Sequence, residues 1–595
     1  MQVNGLFDKK VVTLQKILKK IVLGFMKVTS TIDFKPKLFS TFKNYNASKF
    51  KNDLIAGIVV GIVALPLAVA FGIASGVTPT VGLITAVIGG FLVSAFGGNT
   101  VQIGGPTGAF IVIIYGIIQQ FGLTGLAIAT FMAGLILIAL GLFRLGTVIK
   151  FIPYPIVIGF TSGIAVTIFS TQITDFFGLQ TGALPSEFIS KWVVYFTHFD
   201  TTHLPTLLTG IVSLGIIAAM PYISKKLPGA LIAIIFVTVV VYFLKEFLGI
   251  TGIETIGDRF HNLSGSIPQP HSIDISIETI NALLPSAFTI AMLGAIESLL
   301  SATVADGATS TVTNSNTELI GQGIANVVVP FFGGIPVTGA IARTMTNISN
   351  GGRTPVAGII HAIVLLLIFL FLMPLINLIP MACLAGVLIM VSYNMSGWRT
   401  VKALLKSPKS DVTVMIVTFV LTVVFDLTIA IEMGLLLAIL LFLRRVMENT
   451  QIHHFGEQID IAEGAEITTH EILDLEKGVE VYEIDGPFFF GVATKFDEMM
   501  RSMGDKPTVR ILRMRKVPFI DSTAIHNLEI LIKSSKQEGI HVVLSGVNPN
   551  VHSALERANI EALIGKDHVC DHISKAVVMA NRLAKEALEQ KAARL

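Results

Sequence analysis

Between residues 54 and 446 the chain runs through fourteen apolar stretches separated by short polar breaks, and this pattern constrains its fold more than any other feature. Lipid offers a peptide group no water to bond, so a crossing segment must satisfy its own backbone, as a helix does. About 20 mostly apolar residues span the hydrocarbon layer. The stretches fall near 54–74, 80–98, 106–121, 124–143, 151–174, 205–222, 230–249, 283–304, 320–332, 338–349, 356–376, 379–393, 411–427 and 429–446. An α-helical membrane protein with fourteen transmembrane segments is the expectation.

Charge divides the rest. Residues 54–446 are about 7 % charged and residues 447–595 about 27 %, against about 25 % in ordinary soluble chains. The first 53 residues hold eleven Lys and three Asp. We therefore expect a basic arm at 1–53, lying on the cytoplasmic membrane surface or disordered, and a membrane domain at 54–446. A linker at 447–465 and a soluble domain at 466–595 complete the division. No secretory leader is read at the N-terminus, where lysines break up the run Ile21–Met26. Two cysteines, Cys383 and Cys570, build neither a disulfide framework nor a metal site. Nucleic-acid binding, disorder and collagen are excluded for want of a basic face or a biased repeat.

Lys and Arg in short loops set orientation. Arg144 with Lys150, Lys225 with Lys226, Arg353, the group Arg399, Lys402, Lys406 and Lys409, and Arg444 with Arg445 all fall inside if the first span starts from the cytoplasm. The acid-biased loops 175–203 and 250–282 then lie outside.

The third and tenth stretches look too short to cross, and related motifs open both: GGPTGAF at 104–110 and GGIPVTGAI at 333–341. They hold the same place in two sets of seven, and because seven is odd the halves, about 54–249 and 283–446, would be inverted. Non-helical backbone at membrane depth is tolerated where it lines a cavity. Two half-helices starting at the midplane would aim free N–H groups and positive dipole ends at one point, a setting for an anion. The alternative is that the small residues merely allow close helix packing.

Ionisable residues at depth are costly and mark function. Arg343, in the first turn of the second half-helix, would add a fork of donors suited to carboxylate or sulfate oxygens. Glu297, central in the eighth span with Ser298 and Ser301 nearby, would titrate a coupling proton or, with Ser301, coordinate sodium; the alternative is a structural Glu297–Arg343 ion pair. Pro66 is expected to break the first span. There is no P-loop, so no primary pump is read; His453 and His454 lack further ligands. We expect no enzyme activity, cofactor or metal.

From Glu466 the pattern alternates strand and helix, as in a small α/β domain. Asp521 or Ser522 would cap the helix after PFI; Ser522 is alternatively a phosphate acceptor or partner-reading residue.

With ALPLAVAFGIASG at 64–76, the two Gly-rich motifs, the run on to Arg343 and Thr344, GAIESLL at 294–300 and the α/β tail, the chain resembles the sulfate permease (SulP) family of anion transporters, to which prestin and pendrin are related, over about 50–585. The resemblance implies a seven-plus-seven inverted repeat, a core domain moving against a gate domain, a homodimer in the plasma membrane, and a cytoplasmic STAS domain able to meet a partner. Glu297 resembles the proton-linked dicarboxylate members; sodium-linked bicarbonate members tend to have Asp there and a hydroxyl near Ile341. In STAS proteins that bind anti-sigma kinases the residue matching Ser522 is phosphorylated, and Ala524 departs from the usual Gly. The expected function is secondary active transport of sulfate or a C4-dicarboxylate, with bicarbonate third, coupled to protons or sodium. The anion would sit among Thr107, Gly108, Ala109, Gly339, Ala340 and Arg343, with Glu297 and Ser301 on the coupling ion. A passive channel, a ligand sensor and a nucleobase carrier are the competing classes; Arg343 disfavours the last.

Overall fold

The computed structural model describes residues 34–592 except 150–152, 183, 186, 225–227, 262, 264, 267–268, 273–276, 426, 457, 463–469 and 503–505. Most of the basic arm, Lys150, Lys225 and Lys226 thus lie outside the described residues. Two compact units form, Met1–Ala438 and Ile439–Leu595.

The spans of the first half are Ala47–Ala74, Pro79–Phe96, the joined third and fourth in Ile111–Leu142, Tyr154–Thr171, Leu204–Ile223 and Gly229–Leu248. Those of the second are Ile277–Thr309, Ser315–Val328, Ile341–Ser349, Pro355–Phe371, Met381–Met395, Lys409–Val424 and Leu427–Asn449. Eight of the described helices are long and apolar enough to cross by length and composition. The joined helix has 32 residues, about 48 Å at 1.5 Å per residue, more than one crossing requires. Gly122 divides it at φ 68°, ψ −171°, a conformation glycine reaches without a Cβ penalty. Spans three and four are therefore two rods joined at a kink, not two helices with a loop between. Pro66 does not break span one: Ala47–Ala74 runs through it. The ring removes one helical hydrogen bond, a loss that membrane helices absorb through neighbours.

Packing obeys the inverted repeat. Spans three and four pack on span nine as span eleven packs on span two. Span one meets span eleven as span eight meets span four, and span five meets span thirteen as span twelve meets span six. Each pair maps onto the other when seven is added or subtracted. Glycines permit the closest approaches: a Cβ on Gly134 would stand 2.6 Å from Val327 N, and one on Gly159 2.3 Å from Met415 O. Spans one to four with eight to eleven form one helical body, the core, and spans five to seven with twelve and thirteen form the gate.

In the second unit, strands β3 (Gln451–Phe455), β6 (Val479–Asp485), β7 (Val509–Arg513), β8 (His541–Ser545) and β9 (Val569–Cys570) form one sheet in that order. The β6 to β9 pairs are parallel and β3 is antiparallel to β6. Strands β4 (Gln458–Ala462) and β5 (His470–Asp474) pair separately. Residues 451–455, assigned to the linker from sequence, are thus an edge strand of the domain. Alternate residues serve opposite faces, as strand periodicity requires. Tyr482, Leu512 and Leu544 pack with helices Phe490–Ser502, Ser522–Gln537 and Pro549–Arg557, whereas Val481, Ile511 and Val543 pack with Ile573–Ala592.

Candidate functional site

The two Gly-rich motifs meet. Strand β1 (Gly104–Gly105) pairs antiparallel with β2 (Thr338–Gly339), placing Gly104 opposite Gly339 and Gly105 opposite Thr338. Because the strands are antiparallel, the helices that follow leave in opposite directions. Span three begins with the turn Gly108–Phe110 and span ten at Ile341, so both beginnings lie at one junction inside the core.

Side chains hold this irregular backbone in place, as a membrane interior demands. Asn326 donates to Val337 O and accepts from Val337 N, both at 2.8 Å. Thr85 Oγ1 accepts from Ile335 N at 2.9 Å. Glu318, fully buried, accepts from Gly98 N, Asn99 N, Gln102 Nε2 and Gln322 Nε2 at 2.8–3.0 Å. Asn99 Oδ1 in turn accepts from the amides of Val101 and Gln102. From span eight, Ser298 Oγ lies 2.7 Å from Thr338 Oγ1 and accepts from Gly339 N at 3.1 Å. Ser301 donates to Thr344 Oγ1 at 3.3 Å, and that oxygen accepts from Ile103 N. Span eight is thereby clipped to β2 and, through Thr344, to span ten.

The predicted residues take different positions around this frame. The amide of Gly339 is engaged by Ser298, and that of Ala340 by Ile103 O at 2.9 Å. Among the described residues, the amides without an acceptor at the span-ten end are those of Ile341, Ala342 and Arg343; at the span-three end they are those of Gly108 and Ala109. Thr107 Oγ1 is buried and unpartnered. A Cβ on Gly108 would stand 3.0 Å from Met395 Sδ, 3.1 Å from Ile168 Cδ1 and 3.5 Å from Phe71 Cε1. Its backbone therefore faces spans five and twelve of the gate as well as span one of the core.

Arg343 is 1 % exposed. Nη2 donates to Pro106 O at 3.2 Å, while Nη1 is buried without a partner. The guanidinium thus reaches from one half-helix to the start of the other. Gly105 makes room for it, since a Cβ there would lie 2.0 Å from Nη1. Glu297 is half-buried in span eight, and the alternative Glu297–Arg343 ion pair is not formed among the described residues. Ser301 is fully buried and bonded to Thr344. In the second unit Asp521, not Ser522, is the cap: its carboxylate accepts from Ala524 N at 2.8 Å and Phe490 N at 3.1 Å. Ser522 is exposed at the first helical position.

Several participants escaped sequence reasoning. Glu318, Gln322 and Asn326 recur every four residues along span nine, a polar stripe at helical period that reads as structural or functional only once β2 is seen beside it. His361 in span eleven is fully buried with both ring nitrogens unpartnered; Gly90, in span two, leaves space for the ring, as a Cβ there would lie 3.1 Å from its Cε1.

Comparison with known proteins settles the family. The Sulfate permease family model matches residues 50–418, and a STAS domain model matches 473–576. The chain belongs to the sulfate permease family. It is a multi-pass anion transporter of that family with a C-terminal STAS domain. It is 41 % identical over 535 residues to the putative sulfate transporter YvdB of Bacillus subtilis, covering 89 % of this chain and 98 % of that one. It is 31 % identical over 540 residues to the bicarbonate transporter BicA of Picosynechococcus, covering 87 % and 92 %. Its fold is similar to that of the murine anion transporter Slc26a9 in the inward-facing state, with a TM-score of 0.80 at 18 % identity, covering 92 % and 93 %.

Proposed function

We propose that this chain is a secondary active transporter that carries a small oxyanion by alternating access, coupled to protons. One observation carries the reading: the β1–β2 pair brings the starts of two oppositely directed helices to one junction that faces the gate at Gly108. Free amides of Gly108, Ala109, Ile341, Ala342 and Arg343 supply partial positive charge, and Arg343 adds a full one. Thr107 Oγ1 and Arg343 Nη1, buried and unpartnered, are donors that an anion's oxygens would satisfy. Gly339 and Ala340 shape the site through their backbone. Movement of the core against the gate then carries the junction from one face to the other.

Sulfate or a C4-dicarboxylate fits this site best, with bicarbonate third; relatives named as sulfate and as bicarbonate transporters support both oxyanion types. Glu297 carries the coupling proton, because it is an intramembrane carboxylate with no ion-pair partner among the described residues, and the position of Ser301 beside it leaves sodium as the alternative. We further assign the termini to the cytoplasm, the protein to the plasma membrane as a homodimer, and Ser522, exposed beside a capped helix start, to a regulatory contact with a cytoplasmic partner.

Proteoliposome uptake tests the proposal. Labelled sulfate, fumarate and bicarbonate are offered at two pH values with and without sodium. Uphill accumulation driven by an inward proton gradient is expected; accumulation that never exceeds equilibrium would identify a passive channel, and dependence on sodium at fixed pH would transfer the coupling role from protons.

A further inference from the structure

Lys191 is out of place for a lysine. It lies on helix Phe188–Thr197, between spans five and six, and is 5 % exposed. Lysines are rarely buried unless paired, yet among the described residues no carboxylate lies within 4 Å of its amine. Its Nζ instead sits 5.6 Å from the centroid of the Tyr115 ring, a cation–π arrangement. Burial pushes the amine below the usual lysine range. Aromatic residues share its helix: Tyr195 is 1 % exposed and donates to Ser170 O at 2.8 Å, Trp192 stands edge-on to Tyr195 at 5.7 Å, and Trp192 Nε1 is buried and unpartnered. Asp175, near Tyr195, is taken up by Arg259 at 2.7 Å.

The place of this contact matters. Tyr115 belongs to span three, seven residues beyond Gly108, which is about 10 Å along the helix. Its ring also packs at the end of span one, where Gly76 has φ +82° and a Cβ would lie 3.2 Å from Cδ2. Tyr115 is thus part of the core, whereas helix Phe188–Thr197 connects two gate spans. The contact crosses the boundary along which the two bodies would move, on the side toward which span three runs from the site.

We propose that Lys191 is the anion-capturing side chain of the outer entrance, capped by Tyr115 in the conformation described and uncapped when the core moves. The inference rests on the alternating-access reading above. In the capped state the ring stands in for a counter-charge and closes the path above the half-helix junction. Moving the core withdraws the ring and leaves an ammonium facing the opening, where a small oxyanion supplies the missing negative charge before it reaches Arg343.

Two measurements test this. Initial uptake from outside is recorded for wild type, Lys191→Gln and Lys191→Arg, with whichever of labelled sulfate, fumarate or bicarbonate the wild type carries. Lys191→Gln should raise the external KM about tenfold, a loss near 1.4 kcal/mol, flatten the fall of uptake with ionic strength, and leave efflux KM unchanged; Lys191→Arg should restore KM. Equal KM and salt slope in all three would overturn the proposal while leaving transport by the wild type established. Absence of uptake by the wild type would instead defeat the transporter reading. The second measurement needs no substrate. Both native cysteines are buried, so Lys191→Cys can be labelled in intact cells with a membrane-impermeant maleimide. Labelling should be slow with Tyr115 present and at least tenfold faster with Tyr115→Ala; equal rates would show that the ring does not cap the position.

Discussion

Replacing Arg343 with Gln removes the fixed charge at the junction while keeping a donor that reaches toward Pro106 O. Among the described residues the wild-type side chain makes one hydrogen bond, at 3.2 Å, and leaves Nη1 buried without a partner. In the empty protein this is an expensive arrangement, because a buried charge is offset only by excellent pairing. In the anion-bound protein Nη1 would gain a charge-assisted partner, and such hydrogen bonds contribute about 1.5–3 kcal/mol. That corresponds to a roughly 10- to 150-fold increase in Kd for Arg343→Gln. Arg343→Lys keeps the charge but loses the planar fork, and should fall between. Equilibrium binding of labelled sulfate and fumarate to the purified protein gives Kd, and thermal unfolding without ligand gives the cost of the charge. Affinity should drop while the ligand-free Tm holds or rises. A variant with wild-type affinity and a lowered Tm would show that Arg343 is a structural strut between the half-helices and refute the argument.

Other outcomes follow from the same geometry. Glu297→Gln should still exchange substrate across the membrane but lose accumulation driven by a proton gradient; proton-driven uptake at the wild-type level would remove Glu297 from coupling. Glu318→Gln sets an amide against four donors and should destabilise the core by about 2–4 kcal/mol, since hydrogen bonds to a buried charge are lost, visible as a lower Tm that ligand partly restores. Asp521→Ala removes a cap worth about 1 kcal/mol, and hydrogen exchange at the start of helix Ser522–Gln537 should speed up several-fold in the full chain. Burial, then the neighbouring His541, hold His568 below the usual histidine range. The unfolded chain therefore binds more protons here as pH falls through about 6.5, and stability is lost in that direction; His568→Gln should flatten exchange protection of the STAS sheet between pH 7.5 and 5.5.

How much of this was legible in the sequence differs by element. The spans were, because a bilayer demands apolar runs of a set length and nothing local competes with that demand. The repeat was legible through GGPTGAF and GGIPVTGAI, which recur at equivalent positions although few other residues match. What composition hides is how backbone groups are paired. Gly122 turns span three into span four without a polar loop, and Pro66 passes through a helix unmarked; hydropathy weighs neither. The β1–β2 pair consists of four residues, too few for any periodicity, and its support from Asn326, Glu318 and Ser298 spans more than 200 positions in the case of Glu318 and Gly98. Residues 451–455 read as linker because β3 is exposed along much of its length. Lys191 resembled any loop lysine, and its burial depends on a ring 76 positions earlier in the chain.

The account stands on one anion held where two half-helices begin. Selenate matches sulfate in shape and charge and carries a strong anomalous scatterer, so diffraction from crystals of the full chain soaked in selenate at the selenium edge locates it directly. We expect a peak between the amides of Gly108 and Ala109 and those of Ile341 to Arg343, within about 3–4 Å of Arg343 Nη1, the reach of a hydrogen bond to a charged group. A peak elsewhere, with the junction filled by protein alone, would contradict it.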